Sequence, residues 1–139
     1  MTTPSSASFH YRIDPEAGLA LAEFSGVVSG RDMLDGARTL HADPDWQDGY
    51  DVIWDCSQVT KHLVGPEDVG PLLIEETDAG CGHDALVENA HLGDTMISEM
   101  LTGFLRRRGK PAGVFRTRAE ALSSLKRDAL PASLTADSR

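Results

Sequence analysis

Cys81-Gly82-His83 sets a thiol and an imidazole two positions apart in a glycine-flanked stretch, with His91 further along. Such a pair can ligate a metal if Asp78 or Asp84 completes a set of three or four donors. It can equally act as a nucleophile and base if a third group orients the imidazole. No full donor set and no oxyanion-hole motif accompanies it, and an ordinary loop is the simpler reading. Cys56 directly follows an apolar run and reads as a small core residue. A second group, Asp55, Ser57, Thr60 and His62, falls just beyond a predicted central strand. Ligands of open α/β sheets collect there, past the carboxyl ends of the strands. Acid, hydroxyl and imidazole resemble the parts of a triad, but no Gly-x-Ser-x-Gly elbow holds them, and a polar surface loop is the competing reading. A third group is apolar. Met96, Met100 and Phe104 lie on one stripe of a predicted helix, where methionine can line an adaptable pocket or simply fill the core.

The remaining polar clusters carry less. Glu75-Glu76 and the pair Asp43 and Asp45 read as solvated carboxylates. Val64-Gly65-Pro66 and Val69-Gly70-Pro71 contain prolines that remove the backbone donors a phosphate-binding loop needs.

Periodicity places these groups on elements. Phe9, Tyr11 and Ile13 alternate with polar neighbours, and Asp14-Pro15-Glu16-Ala17-Gly18 is turn chemistry leading to Leu19, Leu21 and Phe24. The opening is therefore a hairpin. Ser29 with Asp32 is a capping-box pattern for a helix that buries Met33, Leu34, Ala37 and Leu40 and stops near Pro44. Trp46 is expected to plug its end. Residues 50–55 read as a buried central strand. A turn over 65–70 and a helix over 71–77 follow, burying Leu72, Leu73 or Ile74, and then a strand over 85–88. Asp94 is the expected cap of the strongest helix, which runs to Arg106-Arg107-Arg108 and is ended by Gly109 and Pro111. A strand centred on Val114-Phe115 precedes the capping box Thr117-Arg118-Ala119-Glu120 of a last helix.

Length and composition bound the function. With 139 residues, 40% apolar and 25% charged, the chain fits one domain with one core. The expected division is a disordered lead-in over 1–8, a domain over 9–127 and a flexible polar tail over 128–139. No apolar run is long enough to span a bilayer, and the polar start lacks the features of a signal peptide. A cytoplasmic location is expected, with both cysteines reduced. A net charge of −9 argues against nucleic acid as a partner. Residues 106–139 nevertheless hold nine of the thirteen Lys and Arg. They read either as basic helix ends or as a basic face for an acidic partner or a second copy.

Strands alternating with helices after a hairpin call for a mostly parallel sheet with right-handed crossovers. Several segments carry a family likeness: Tyr11 to Leu19 with Phe24-Ser25-Gly26, Ala42 to Trp46 with Tyr50 to Asp55, and Val114-Phe115-Arg116 with Glu120-Ala121-Leu122. Together, over residues 9–125, they resemble small stand-alone bacterial STAS-like domains, the anti-sigma-factor antagonist type, whose element order is shared by SEC14-like domains. The resemblance implies an α/β fold with a mixed, mostly parallel five-stranded sheet, an opening β-hairpin and about four helices. It implies a non-catalytic regulatory domain that binds a protein partner and self-associates, with no cofactor. The SEC14-like alternative is a domain for a small apolar ligand or lipid, and an enzyme is the least favoured reading. Antagonists of this type are switched by phosphorylation of a serine in the turn after the central strand. Here that turn is Leu63-Val64-Gly65-Pro66, which has no hydroxyl.

Overall fold

The structure, a computed structural model, describes residues 7–89 and 95–135. β1 (Ser8–Asp14) and β2 (Leu19–Ser29) pair antiparallel, with Phe9 opposite Phe24 and Asp14 opposite Leu19. Asp14 Oδ1 accepts the Ala17 amide at 3.0 Å, and Gly18 closes the turn at a φ of 63°, a conformation that penalises any Cβ. The other three strands are added in chain order and in parallel: β3 (Asp51–Leu63), β4 (Asp84–Val87) and β5 (Ala112–Phe115). The expected hairpin and mostly parallel five-stranded sheet are thus present.

Both sheet faces are covered, as a parallel sheet requires. Ala20, Ala22, Val52 and Trp54 face α1 (Gly30–His41), while Leu19, Leu21, Ile53, Ala85 and Val87 point to the opposite side. There they meet α4 (Arg118–Ser124) and α5 (Ala132–Thr135). A third cluster joins α2 (Val69–Ala79) to α3 (Met96–Arg107) through Leu72, Leu73, Leu101 and Leu105. Where the sequence shows only a polar tail from Asp128, α5 buries Leu134 and brings the α-helices among the described residues to five.

Local chemistry explains the helix ends. Ser29 Oγ accepts the Asp32 amide at 3.1 Å while Asp32 Oδ2 accepts the Ser29 amide at 2.9 Å, so the capping box of α1 is complete. Trp46 covers the far end of that helix and donates its indole N–H to Ala79 O at 3.1 Å. Thr117 Oγ1 accepts the Glu120 amide at 3.1 Å and starts α4. The expected Asp94 cap of α3 lies outside the described residues, as does His91; Thr95 stands at the helix start without a side-chain capping bond.

Two elements differ from expectation. The central strand runs to Leu63 instead of ending at Asp55, so Ser57, Thr60 and His62 are strand residues and the loop placed there is absent. The cause is β2, which itself runs to Ser29 and leaves backbone groups needing partners. Its second half takes them from β3, with Gly26 opposite Val59 and Val28 opposite His62 across two register shifts. The second difference is α2, which starts at Val69 after a 3-10 turn over Pro66–Asp68. Pro71 is accommodated in its first turn, where the missing amide has no helical acceptor to lose. Leu72 and Leu73 are buried; Ile74 points outward.

Among the described residues no helix is long and apolar enough to cross a membrane. Three of the C-terminal arginines make internal clamps, while Arg107, Arg108, Arg116 and Lys126 are exposed. Arg106 donates to Ala112 O at 2.9 Å, Arg118 pairs with Asp55 and Glu23, and Arg127 reaches Ala17 O at 2.9 Å and Asp51 at 3.3 Å.

Candidate functional site

The four polar residues expected on one loop are divided by the strand that carries them. Asp55 is buried; its Oδ2 is paired with Arg118 and its Oδ1 accepts the Ser57 amide at 2.8 Å. Thr60 and His62, nearer the strand's end, instead line a cleft of about 260 Å3 with Lys61, Glu88, Ile97 and Ser98. His62 Nε2 faces Glu88 Oε1 at 3.4 Å without forming a hydrogen bond, and Glu88 Oε2 accepts the Ser98 hydroxyl. The carboxylate of Asp55 is therefore closed by a guanidinium while the imidazole of His62 has a different acid as its neighbour. A triad is not assembled from these residues.

Two exposed apolar side chains neighbour cleft residues in sequence without lining the cleft: Leu63, between His62 and Val64, is 53% exposed, and Met96, directly before Ile97, is 58% exposed. This corrects the apolar pocket expected from Met96, Met100 and Phe104. Met96 and Phe104 face outward, Phe104 beneath the Arg107 guanidinium at 5.6 Å, and Met100 packs at the edge of the α2–α3 cluster. The stripe is turned so that Leu101 and Leu105 point inward instead. They line a cavity of only about 50 Å3 with Trp54, Cys56, Leu72 and Leu86. Ligand sites for drug-sized molecules occupy roughly 300–1,000 Å3, so an acyl chain has no room here.

Beyond this cavity, at the amino end of β4, lies a buried polar network. Cys81 is not joined by His83; its Sγ lies 3.6 Å from Nε2 of His41 and 3.7 Å from Glu76 Oε2. His41 Nε2 is 3.3 Å from Glu76 Oε2, and its Nδ1 is 2.8 Å from Glu75 Oε2. Arg38 approaches the other Glu75 oxygen at 3.6 Å. Asp84 completes the group: its Oδ1 accepts the Trp54 indole N–H at 2.8 Å, while its Oδ2 is buried without a hydrogen bond. The reading of Glu75-Glu76 as solvated surface is overturned, because Glu76 is 4% exposed and both carboxylates hold His41.

Burial, then the facing charge of Asp84, pushes the Glu76 carboxyl well above the usual carboxylate range; burial also raises Asp84. Burial raises the thiol of Cys81, with Asp84 and Glu76 adding to it, and burial likewise raises Cys56. Neither thiol is primed as a nucleophile, which needs a stabilised thiolate.

His41, Glu76 and Trp54 escaped the sequence reading, though a signal for Glu76 was there. Val69, Leu72, Leu73 and Glu76 follow the spacing of one helical face. A carboxylate in the last place of an apolar stripe is a buried acid that needs a partner.

The sheet order, the hairpin and the two helical layers define a STAS-like α/β fold. Solved structures agree. A crystal structure of an anti-sigma factor antagonist from Mycobacterium paratuberculosis matches with a TM-score of 0.54 at 16% identity, over 91% of this chain and 99% of that one. An uncharacterised protein of the DUF3478 family with a SpoIIAA-like fold, from Shewanella loihica PV-4, matches with a TM-score of 0.54 at 9% identity, over 88% and 96%. No family model matches the sequence, and neither does a curated protein.

Proposed function

We propose that this chain is a non-catalytic regulatory domain that acts by binding a protein partner at the cleft beside the end of β3. The observation that carries this reading is that Leu63 and Met96, two large apolar side chains next in sequence to cleft residues, are more than half exposed. Apolar surface held in water has a cost that a docked surface removes. The cleft also lies past the carboxyl end of β4, the end of an open α/β sheet at which ligands bind. The fold supports the same reading, since one solved protein that shares it is an anti-sigma factor antagonist. Partner binding here needs no hydroxyl in the Leu63-Val64-Gly65-Pro66 turn, so the interaction is set by shape and apolar contact and not by a phosphoserine. A partner is favoured over a lipid because the interior cavity is too small and the exposed apolar surface is outside.

Site-specific photo-crosslinking in the native cell tests it. A crosslinking residue in place of Leu63 or of Met96 is expected to give the same discrete adduct, and one in place of exposed Thr39 none. An adduct of twice the chain mass identifies a second copy as the partner. Leu63→Asp is expected to abolish the adduct formed from position 96 without changing Tm. Absence of any adduct, or equal labelling from all three positions, overturns the assignment.

A further inference from the structure

We propose that His41 Nε2, Glu76 Oε2 and Cys81 Sγ form a three-donor site for a divalent, borderline-soft cation, of which zinc is the natural occupant. The three donors lie within 4.8 Å of one another, and their separations are diagnostic. Zinc bonds of about 2.0–2.3 Å at tetrahedral angles set nitrogen, oxygen and sulfur donors about 3.3–3.6 Å apart. The distances are 3.3 Å from His41 to Glu76, 3.6 Å from His41 to Cys81 and 3.7 Å from Glu76 to Cys81. Asp84, 1% exposed with a buried Oδ2 outside any hydrogen bond, stands close enough to Glu76 and Cys81 to act on both electrostatically.

The groups behind the donors are those a metal site requires. Glu75 holds His41 Nδ1 at 2.8 Å, the carboxylate–histidine arrangement that presents the other ring nitrogen to a metal. Trp54 holds the other oxygen of Asp84 at 2.8 Å. Three protein donors in a buried setting leave one position for a fourth ligand. The cation would tie the last residue of α1, the inner face of α2 and the loop after it into one corner. A mixed nitrogen, oxygen and sulfur set suits zinc and its borderline neighbours; magnesium and calcium call for oxygen donors. Binding displaces the Cys81 thiol proton, leaving thiolate on the metal.

The test uses the full chain, stripped with a chelator and titrated with Co2+ and then Zn2+. One equivalent of Co2+ is expected to give tetrahedral d–d bands and a thiolate-to-cobalt charge-transfer band, both bleached by one equivalent of Zn2+. Zinc in excess is expected to raise Tm by about 5 °C or more. Cys81→Ser should lose the charge-transfer band, His41→Ala should weaken binding at least tenfold, and His83→Ala should behave as the wild type. The titration of the wild-type chain decides the matter even if a variant fails to fold. A folded chain that shows no thiolate–cobalt band, or one that Cys81→Ser leaves intact, overturns the site.

Discussion

Arg118 closes on Asp55: the guanidinium at the start of α4 pairs with a carboxylate buried in the middle of β3, and its other arm reaches Glu23 on β2. One side chain thus fastens a short helix to two parallel strands. Arg118→Ala leaves Asp55 buried without its cation, and removing one partner of a buried pair costs about 3–5 kcal/mol when both are fully enclosed. Arg118 is itself 35% exposed, so water screens part of the loss and about 2 kcal/mol is expected. Urea unfolding of Arg118→Ala, Asp55→Asn and the double variant checks it. The double variant should recover part of the loss, and strictly additive effects would remove the pair from the argument.

Gly82 makes a different kind of fastening. A Cβ there would lie 2.4 Å from Gly49 O, a backbone atom that cannot swing away. The Gly82 amide meanwhile donates to Tyr50 O at 2.8 Å, so the segment is held against its neighbour from both sides. Gly82→Ala is expected to cost about 2 kcal/mol, within the range of overpacking changes. A variant with unchanged Tm would mean that the Gly49 turn yields freely.

The elements that could be read from sequence are those whose signals are local. The hairpin and the Ser29 and Thr117 caps depend on neighbours a few residues apart, and each appears as expected; α3 is present, but its stripe is turned so that Leu101 and Leu105 face inward and Met96 and Phe104 outward. The second half of β3 was not readable, because Ser57 to Leu63 pairs with β2 and its own composition resembles a loop. Its strand character lies in a partner thirty residues away. The polar quartet inherited that error: Asp55 and Ser57 went with α4, Thr60 and His62 with the cleft. The buried network was hidden for the same reason. His41, Glu76, Cys81 and Asp84 converge only once α1, α2 and β4 pack, and a sequence reading that takes the Cys81 stretch for an ordinary loop has no local signal of it.

Tyr11 provides a pH-dependent readout of the sheet's edge. Its hydroxyl donates to Asp43 Oδ2 at 2.8 Å, and that bond, followed by burial, raises the phenol above its ordinary value of 10.0. A raised folded pKa means the folded chain holds this proton more tightly than the unfolded one. The stability it supplies is complete below the unfolded value and is lost as pH climbs through the folded value. In a Tyr50→Phe background, which leaves Tyr11 as the one tyrosine, Asp43→Asn is expected to shift the phenolate transition downward. Ultraviolet titration reads this directly. A transition that does not move would assign the raised value to burial alone.

Leu134 decides whether α5 belongs to the domain. This helix is four residues long, too short to be stable by itself, so only tertiary contact can hold it. The contacts are specific: Leu134 is 4% exposed against the Leu19, Leu21 and Ala121 face, and Ser133 Oγ donates to Asp14 Oδ2 at 2.7 Å. Fully buried leucines cost about 2–5 kcal/mol on truncation to alanine. A site at the margin of the core, able to relax toward solvent, belongs at the low end, so Leu134→Ala is expected to cost about 2 kcal/mol. The Ser133 bond also lowers the carboxyl pKa of Asp14, which provides an independent measure of docking. In Ser133→Ala the Asp14 carboxyl should titrate at higher pH by NMR. If Leu134→Ala leaves stability unchanged and Ser133→Ala leaves Asp14 where it was, the segment from Asp128 onward is a free tail and the sheet face beneath it is covered by α4 alone.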